Sequence, residues 1–231
     1  EELRKEMGET AVRAAKAAGY ENAGTIEFLL EKTGKYYFME MNTRIQVEHP
    51  ITENITGIDI VKEQIKIAQG EKLPFTQNEI EIKGHSIECR INAENPEENF
   101  RPSPGKITEM HFPGGNGVRV DSAIFTGYEV TPYYDSMLAK LIVYGDNRQE
   151  AINKMRSALG EVVIEGIDTN IDYEYEIINN EKFIKIQKYR IDRSSDHFAG
   201  DRPFPYTGYV YCHISGKYAS EQYNLCTPCD C

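Results

Sequence analysis

The chain has 231 residues, no Trp and a formal charge of −11, which allows one large domain or two small ones and argues against a nucleic-acid backbone as partner. No apolar run approaches membrane-spanning length, and no signal-peptide pattern opens the sequence. The first residue is Glu and falls inside a helical pattern, which points to a fragment, and of five Cys only Cys89 lies outside the last twenty residues, which fits a reducing cytoplasm.

Residues 2–18 read as a helix, with Leu3, Met7, Ala11, Ala14 and Ala18 on one stripe and Gly19 as its stop. A β-hairpin follows, with arms 25–31 and 36–42 around Lys32-Thr-Gly-Lys35. A four-residue loop pairs Glu31 with Tyr36, Leu29 with Phe38, Glu27 with Glu40, and Thr25 with Asn42. Like charges directly opposite on a sheet are destabilising, so Glu27 and Glu40 call for a cation between them. A divalent ion with oxygen ligands is the obvious candidate. Asn42 on the same face adds a neutral oxygen, a set that suits Mg²⁺ bound together with substrate phosphates. The plainer alternative is a register off by one, with both acids facing solvent.

Past the hairpin, Thr43-Arg-Ile-Gln-Val-Glu-His-Pro50 reads as extended, because proline disfavours helix at the residue before it. Asn42, Arg44, Gln46 and Glu48 then alternate at the strand period and face one side. Arg44 could fix a small planar anion through its forked donors, with the Val47 N–H as a further donor. Glu48 could remove a proton from that anion; the plainer reading of Arg44 and Glu48 is a surface ion pair, which contributes little. His49 is expected to orient the loop rather than perform chemistry.

A second helix is expected over 59–69, with Val61, Ile65 and Ala68 inward and Gly70 at its end. Residues 71–77 read as a connector. From Ile80 the period changes to two, placing Ile87, Cys89 and Ile91 on one face and Glu88, Arg90 and Asn92 on the other. Pro96, Pro102 and Pro104-Gly105 break the chain into loops, and strands follow at 106–112, 117–121 and 137–144. A third helix begins near Asn147 with Ala151, Ile152, Met155 and Leu159 buried, and a fourth runs from Thr169 as N-cap to about Asn179. Arg90, taken alone, is a solvated or Glu88-paired arginine.

At this point the sequence resembles a known family. Phe38-Met-Glu-Met-Asn-Thr-Arg-Ile-Gln-Val-Glu-His-Pro-Ile-Thr-Glu53 is similar to the signature of biotin carboxylases, members of the ATP-grasp superfamily. Glu40-Met-Asn-Thr-Arg44 is shared in pattern with carbamoyl-phosphate synthetases, and Gln46-Val-Glu-His49 points to the biotin-dependent enzymes. Further matches are Gly84-His-Ser-Ile-Glu-Cys-Arg-Ile-Asn-Ala-Glu94, Pro102-Ser-Pro-Gly-Lys-Ile107, Pro132-Tyr-Tyr-Asp-Ser-Met137 and Gly166-Ile-Asp-Thr-Asn170. They occur in family order over roughly residues 10–183. Asn42-Thr43 and His49-Pro50 favour the acetyl-CoA carboxylase type over pyruvate carboxylase.

The resemblance implies an α+β chain: the C-terminal part of an ATP-grasp domain over 1–75, then a mainly antiparallel β biotin carboxylase C-terminal domain over 76–183. It implies that Glu27 and Glu40 hold Mg²⁺ (or Mn²⁺) on the ATP phosphates, with Asn42 on a second metal, and that Leu29 lines the nucleotide pocket. Arg44, Gln46 and Val47 match bicarbonate-binding positions, Glu48 the base that deprotonates bicarbonate, and Arg90 the arginine that stabilises the biotin enolate. Arg119 falls at a dimer-contact arginine, implying a homodimer at full length. The implied partners are a biotin carboxyl carrier protein and a carboxyltransferase component, with ATP and bicarbonate as substrates, in the cytoplasmic first half-reaction of fatty-acid synthesis. A pyruvate, propionyl-CoA or methylcrotonyl-CoA carboxylase and a non-catalytic module derived from the fold are the alternatives.

Two departures stand out. The family's amino-terminal half, with its glycine-rich phosphate loop and ATP-binding lysines, is absent, so the fragment alone is expected not to turn over ATP. The segment 184–231 does not match the family; its Cys226-x-x-Cys229-x-Cys231 superficially suggests a metal site, and a frameshifted gene end is the favoured reading.

Overall fold

Small side chains at helical spacing let the first helix lie close on a sheet. In the computed structural model, which describes residues 2–31 and 33–185 and the backbone of 209–214 and 225–226, α1 (Glu2–Ala17) buries Met7, Gly8, Ala11, Val12 and Ala15. Of the expected stripe Met7 and Ala11 are buried and Leu3 and Ala14 pack partly buried against the same core, whereas Ala18 is exposed and Val12 and Ala15 are buried in addition. The side chains of the tail cysteines, and with them the metal and frameshift readings, lie outside the described residues. The described chain divides into two compact units between Glu81 and Ile82.

In the first unit α1 packs on the hairpin of β1 (Gly24–Leu30) and β2 (Tyr36–Asn42), where Met7, Ala11 and Ala15 meet Ile26 and Phe28. Glu27 pairs with Glu40 and Thr25 with Asn42, the expected pairs, but by another route than the four-residue loop. A bulge between Glu27 and Phe28 then shifts the ladder, so Phe28 pairs with Phe38, Leu29 with Tyr37 and Leu30 with Tyr36. The expected Leu29–Phe38 and Glu31–Tyr36 pairs are therefore absent: Met39 is an extra residue on β2, the usual content of a bulge. The shift seats Phe28 in the core, edge-on to Tyr36 (5.5 Å) and Phe38 (6.5 Å). Along its other edge β1 pairs antiparallel with the strand Tyr209–Ile214.

Two helices follow. α2 (His49–Thr56) occupies part of the segment expected to be extended. Pro50 sits in its first turn, where a missing N–H loses no helical bond, and the bias against helix before proline is overridden. α3 (Ile60–Ala68) starts at Asp59, whose side chain accepts from the Lys62 N–H at 2.8 Å. It turns Ile60, Glu63 and Ile67 inward, not Val61, Ile65 and Ala68; Val61 and Ile65 are exposed.

The second unit is built on an antiparallel sheet in the order β3 (His85–Asn92), β10 (Met137–Gly145), β8 (Val118–Ser122). Short strands complete the unit: β4 (Glu94–Asn95) with β5 (Arg101–Pro102), β6 (Gly105–Lys106) with β9 (Glu129–Val130), and β7 (Glu109–His111) with β11 (Val163–Glu165). The single strand expected over 106–112 is thus two pieces that pair antiparallel with different strands on either side of fully buried Ile107. Ile87, Cys89 and Ile91 join Leu141, Val143 and the Ala151, Ile152, Met155 and Leu159 face of α4 (Arg148–Glu161) in one core. The N-cap of α4 is Asn147, as expected. α5 (Ile171–Asn179) is capped by Asn170 rather than Thr169, and α6 (Glu181–Lys185) follows. No helix among the described residues is long and apolar enough to cross a membrane.

Candidate active site

The first unit gathers its polar groups by hydrogen bonding. Buried Glu27 and exposed Glu40 face each other across the ladder, and the Asn42 amide donates to both, at 2.8 Å to Glu27 Oε1 and 3.3 Å to Glu40 Oε1. Gln46, also buried, donates to Glu27 Oε1 at 3.4 Å and accepts from the Arg44 guanidinium at 2.8 Å. Arg44 also donates to Asn42 Oδ1 at 3.2 Å. Glu40, Asn42, Glu27, Gln46 and Arg44 thus form one connected network.

The network does not rest on an extended strand. Residues 43–46 are irregular, the chain turns at Val47 and Glu48, and Glu48 is the N-cap of α2. His49 Nδ1 lies 2.8 Å from the Gln46 carbonyl, pinning that turn. Turning, rather than alternation, brings Glu48 near enough for its charge to be felt at Glu27. Burial raises the Glu27 carboxyl above the usual range, the charges of Glu40 and Glu48 raise it further, and Asn42 and Arg44 pull the other way. Val47 is half-buried in the turn, and Leu29 is about half exposed on β1.

The donor set fits Mg²⁺ in one respect that the geometry makes physical. Crowded carboxylate charge at Glu27 is what a hard cation would relieve; the Asn42 amide nitrogen faces both acids here while its Oδ1 accepts from Arg44, so Asn42 would have to turn its amide over to offer a neutral oxygen. Among the described residues no group of three or more His, Cys, Asp or Glu is arranged to hold an ion. Two carboxylates and an amide leave the remaining positions to water and phosphate oxygens, the usual company of Mg²⁺.

In the second unit, Arg90 is exposed on β3 with its Nε 3.9 Å from Oε1 of deeply buried Glu88. Across the same face Arg119 grips Asp121 at 2.7 and 2.8 Å, and Lys140 lies 3.5 Å from Asp121. Burial raises the Asp121 carboxyl, but the Arg119 and Lys140 charges outweigh it and hold the group below its usual value.

Glu174, on α5, escaped the sequence reading. Burial pushes its carboxyl up to about 7, although Cys89 and Arg90 draw it down. The signal was present in Ile171, Glu174 and Ile178, which share a helical face and make the acid an inward residue. Because its folded value lies above the unfolded value of 4.5, the folded chain binds the extra proton between the two. The stabilisation is full below about pH 4.5 and lost progressively as pH rises to about 7, a difference of up to about 3 kcal/mol. Urea unfolding at pH 5 and pH 8 should therefore favour pH 5, and Glu174→Gln should remove that part of the difference; an unchanged pH dependence would count against the burial.

Comparison with known families agrees with this organisation. Residues 1–76 match the carbamoyl-phosphate synthase L chain ATP binding domain, and residues 88–191 match the biotin carboxylase C-terminal domain. The chain is 62% identical over 182 residues to a pyruvate carboxylase subunit of Methanothermobacter thermautotrophicus, covering 79% of this chain and 37% of the relative. It is 57% identical over 184 residues to biotin carboxylase 1 of Bacillus subtilis, covering 79% and 41%. Among solved structures, the biotin carboxylase domain dimer of Hydrogenobacter thermophilus 2-oxoglutarate carboxylase, in complex with MgADP, ADP and bicarbonate, superposes with a TM-score of 0.76 at 52% identity, covering 79% of this chain and 40% of that one. An ATP-grasp segment joined to such a C-terminal domain defines the class. The chain belongs to the biotin carboxylase family, and it spans about 40% of the length of the relatives it matches.

Proposed function

We propose that the chain contributes the metal-, bicarbonate- and biotin-facing residues of an ATP-dependent biotin carboxylase. The observation that supports this reading is the Glu40–Asn42–Glu27–Gln46–Arg44 network, which joins a facing pair of acids to an arginine. Glu27 and Glu40, with Asn42, would hold Mg²⁺ or Mn²⁺, whose chemistry is to neutralise charge on the ATP phosphates. Leu29 lines the nucleotide side. Arg44, Gln46 and the Val47 N–H hold bicarbonate. Glu48 takes its proton, and the anion attacks the γ-phosphate to give carboxyphosphate and ADP. Carboxyphosphate breaks down to CO₂ and phosphate; the phosphate takes the biotin N1 proton, and the biotin enolate, held by Arg90, captures CO₂. The protein's part is positioning and charge neutralisation.

The biotin is carried by a carrier protein, the carboxyl group passes to a carboxyltransferase component, and the full-length enzyme is a cytoplasmic homodimer with Arg119 at the contact. Asn42-Thr43 and His49-Pro50 favour acetyl-CoA carboxylase and fatty-acid synthesis. The 62% identity to a pyruvate carboxylase component supports the pyruvate type as the second reading. The test joins this chain to the glycine-rich half of a biotin carboxylase. The joined protein should cleave ATP in a bicarbonate-dependent manner and carboxylate biotin, and the 231-residue chain alone should do neither. No bicarbonate-dependent cleavage by the joined protein would overturn the reading.

A further inference from the structure

We infer that Asn170 is the positioning residue for Arg90, acting on it through the main chain of β3; this deepens the reading above and rests on Arg90 serving biotin. β3 is the outer strand of its described sheet, with β10 on one side. In a strand the main-chain groups of residues two apart point the same way. Arg90 and Asn92 direct theirs to the side occupied by Asn170. There the Asn170 side-chain amide does what a neighbouring strand would do. Its Nδ2 donates to the Arg90 carbonyl at 2.9 Å, and its Oδ1 accepts from the Asn92 N–H at 2.7 Å. Its own main-chain N–H donates to the Asn92 carbonyl at 3.2 Å.

These are three bonds from one buried residue, 5% exposed, onto the three-residue stretch that carries Arg90. Buried main-chain groups need partners, so the edge cannot shift without losing them. The Arg90 side chain is 46% exposed, and the main chain sets the point from which it reaches out. Asn170 is itself anchored. It is the N-cap of α5, its carbonyl accepts from the Glu174 N–H at 3.0 Å, and its Nδ2 also lies 3.3 Å from Glu174 Oε1. The chemistry requires asparagine: aspartate lacks the donor for the Arg90 carbonyl, and alanine lacks both groups.

The test uses Asn170→Ala and Asn170→Asp. In the 231-residue chain, hydrogen exchange of the Asn92 amide should accelerate at least about tenfold in the Ala variant, whereas Ile91, which faces β10, keeps its protection. In the joined enzyme, kcat/KM for biotin should fall roughly 10- to 100-fold in both variants near neutral pH, with bicarbonate-dependent ATP cleavage in the absence of biotin changed less than about twofold. The Asp variant should recover as pH falls and its carboxyl, beside the Glu174 carboxyl, takes a proton that it can donate to the Arg90 carbonyl. The Ala variant should show no such recovery.

Unchanged biotin kcat/KM in both variants overturns the inference. So does an equal loss in biotin-dependent and biotin-independent ATP cleavage, the mark of a merely structural role. Should the Ala variant fail to fold, the Asp variant, which keeps the acceptor for Asn92, decides by its pH profile. If the wild-type joined enzyme shows no bicarbonate-dependent cleavage, the functional reading fails instead; unchanged exchange at Asn92 would then still refute Asn170 as the group that fixes β3.

Discussion

Replacing Glu48 by Gln in the joined enzyme is expected to lower kcat for bicarbonate-dependent ATP cleavage by about 10²–10⁴, the usual contribution of a general base. Gln has nearly the shape of Glu and keeps a hydrogen-bonding oxygen, so the turn before α2 should survive. What it loses is the proton acceptor and the charge. The charge has a second reporter, because Glu48 helps to raise the carboxyl of Glu27. Removing it should bring Glu27 down, visible as a shift of that carboxyl's titration in the 231-residue chain itself. A base lost without harm to binding lowers kcat and leaves KM for ATP near its original value. A raised KM with unchanged kcat would instead assign Glu48 to the start of α2 and remove it from the chemistry.

The sequence placed Glu27 opposite Glu40 through a four-residue loop, whereas the ladder closes at Leu30–Tyr36, one residue off that register, and the extra residue Met39 brings the two acids back into line. It did not carry the bulge. Nothing in Tyr36-Tyr-Phe-Met-Glu-Met-Asn42 marks Met39 as the extra residue; the choice is made by Phe28 reaching the core between Tyr36 and Phe38. The helix α2 was hidden for a different reason. Proline before a helix interior is forbidding, but within the first turn it is welcome, and sequence alone does not say which turn Pro50 occupies. The phase of α3 differs because its inward face is Ile60, Glu63 and Ile67, and Glu63, buried and paired with Lys66, is an acid that an apolar stripe does not announce. Asn170 and Glu174 were illegible in a stronger sense. Their partners on β3 lie about eighty residues away in the chain, and only the packing of α5 against that strand brings them together. Core positions such as Ile87, Cys89, Ile91 and Met155 were easy by comparison, since strand and helix periods state them directly.

Gly166→Ala is expected to destabilise the chain severely, by on the order of 3 kcal/mol or more, for two reasons that add. Gly166 has φ +99°, a conformation that side chains of the L series rarely adopt. A Cβ built there would also lie 2.3 Å from the Lys106 carbonyl and 3.1 Å from the Thr108 N–H. Both are main-chain atoms. They cannot swing aside as a side-chain tip would, and they belong to the stretch where Thr108 N–H bonds the Glu165 carbonyl at 2.9 Å beside the β7–β11 pair. Relief of the clash must therefore open that pairing or displace the chain that leads to Asn170, four residues on. The matched control is Gly160→Ala, inside α4, where φ is ordinary and the added carbon would meet only the Tyr175 ring at 3.9 Å. Alanine there should be neutral or stabilising by about 0.5–1 kcal/mol, because glycine is a poor helix former. Urea unfolding of the two variants beside the parent chain measures both effects. A Gly166→Ala midpoint equal to the parent's would show that the 105–108 segment can give way, and the fixed connection from β11 to Asn170 would fall with it.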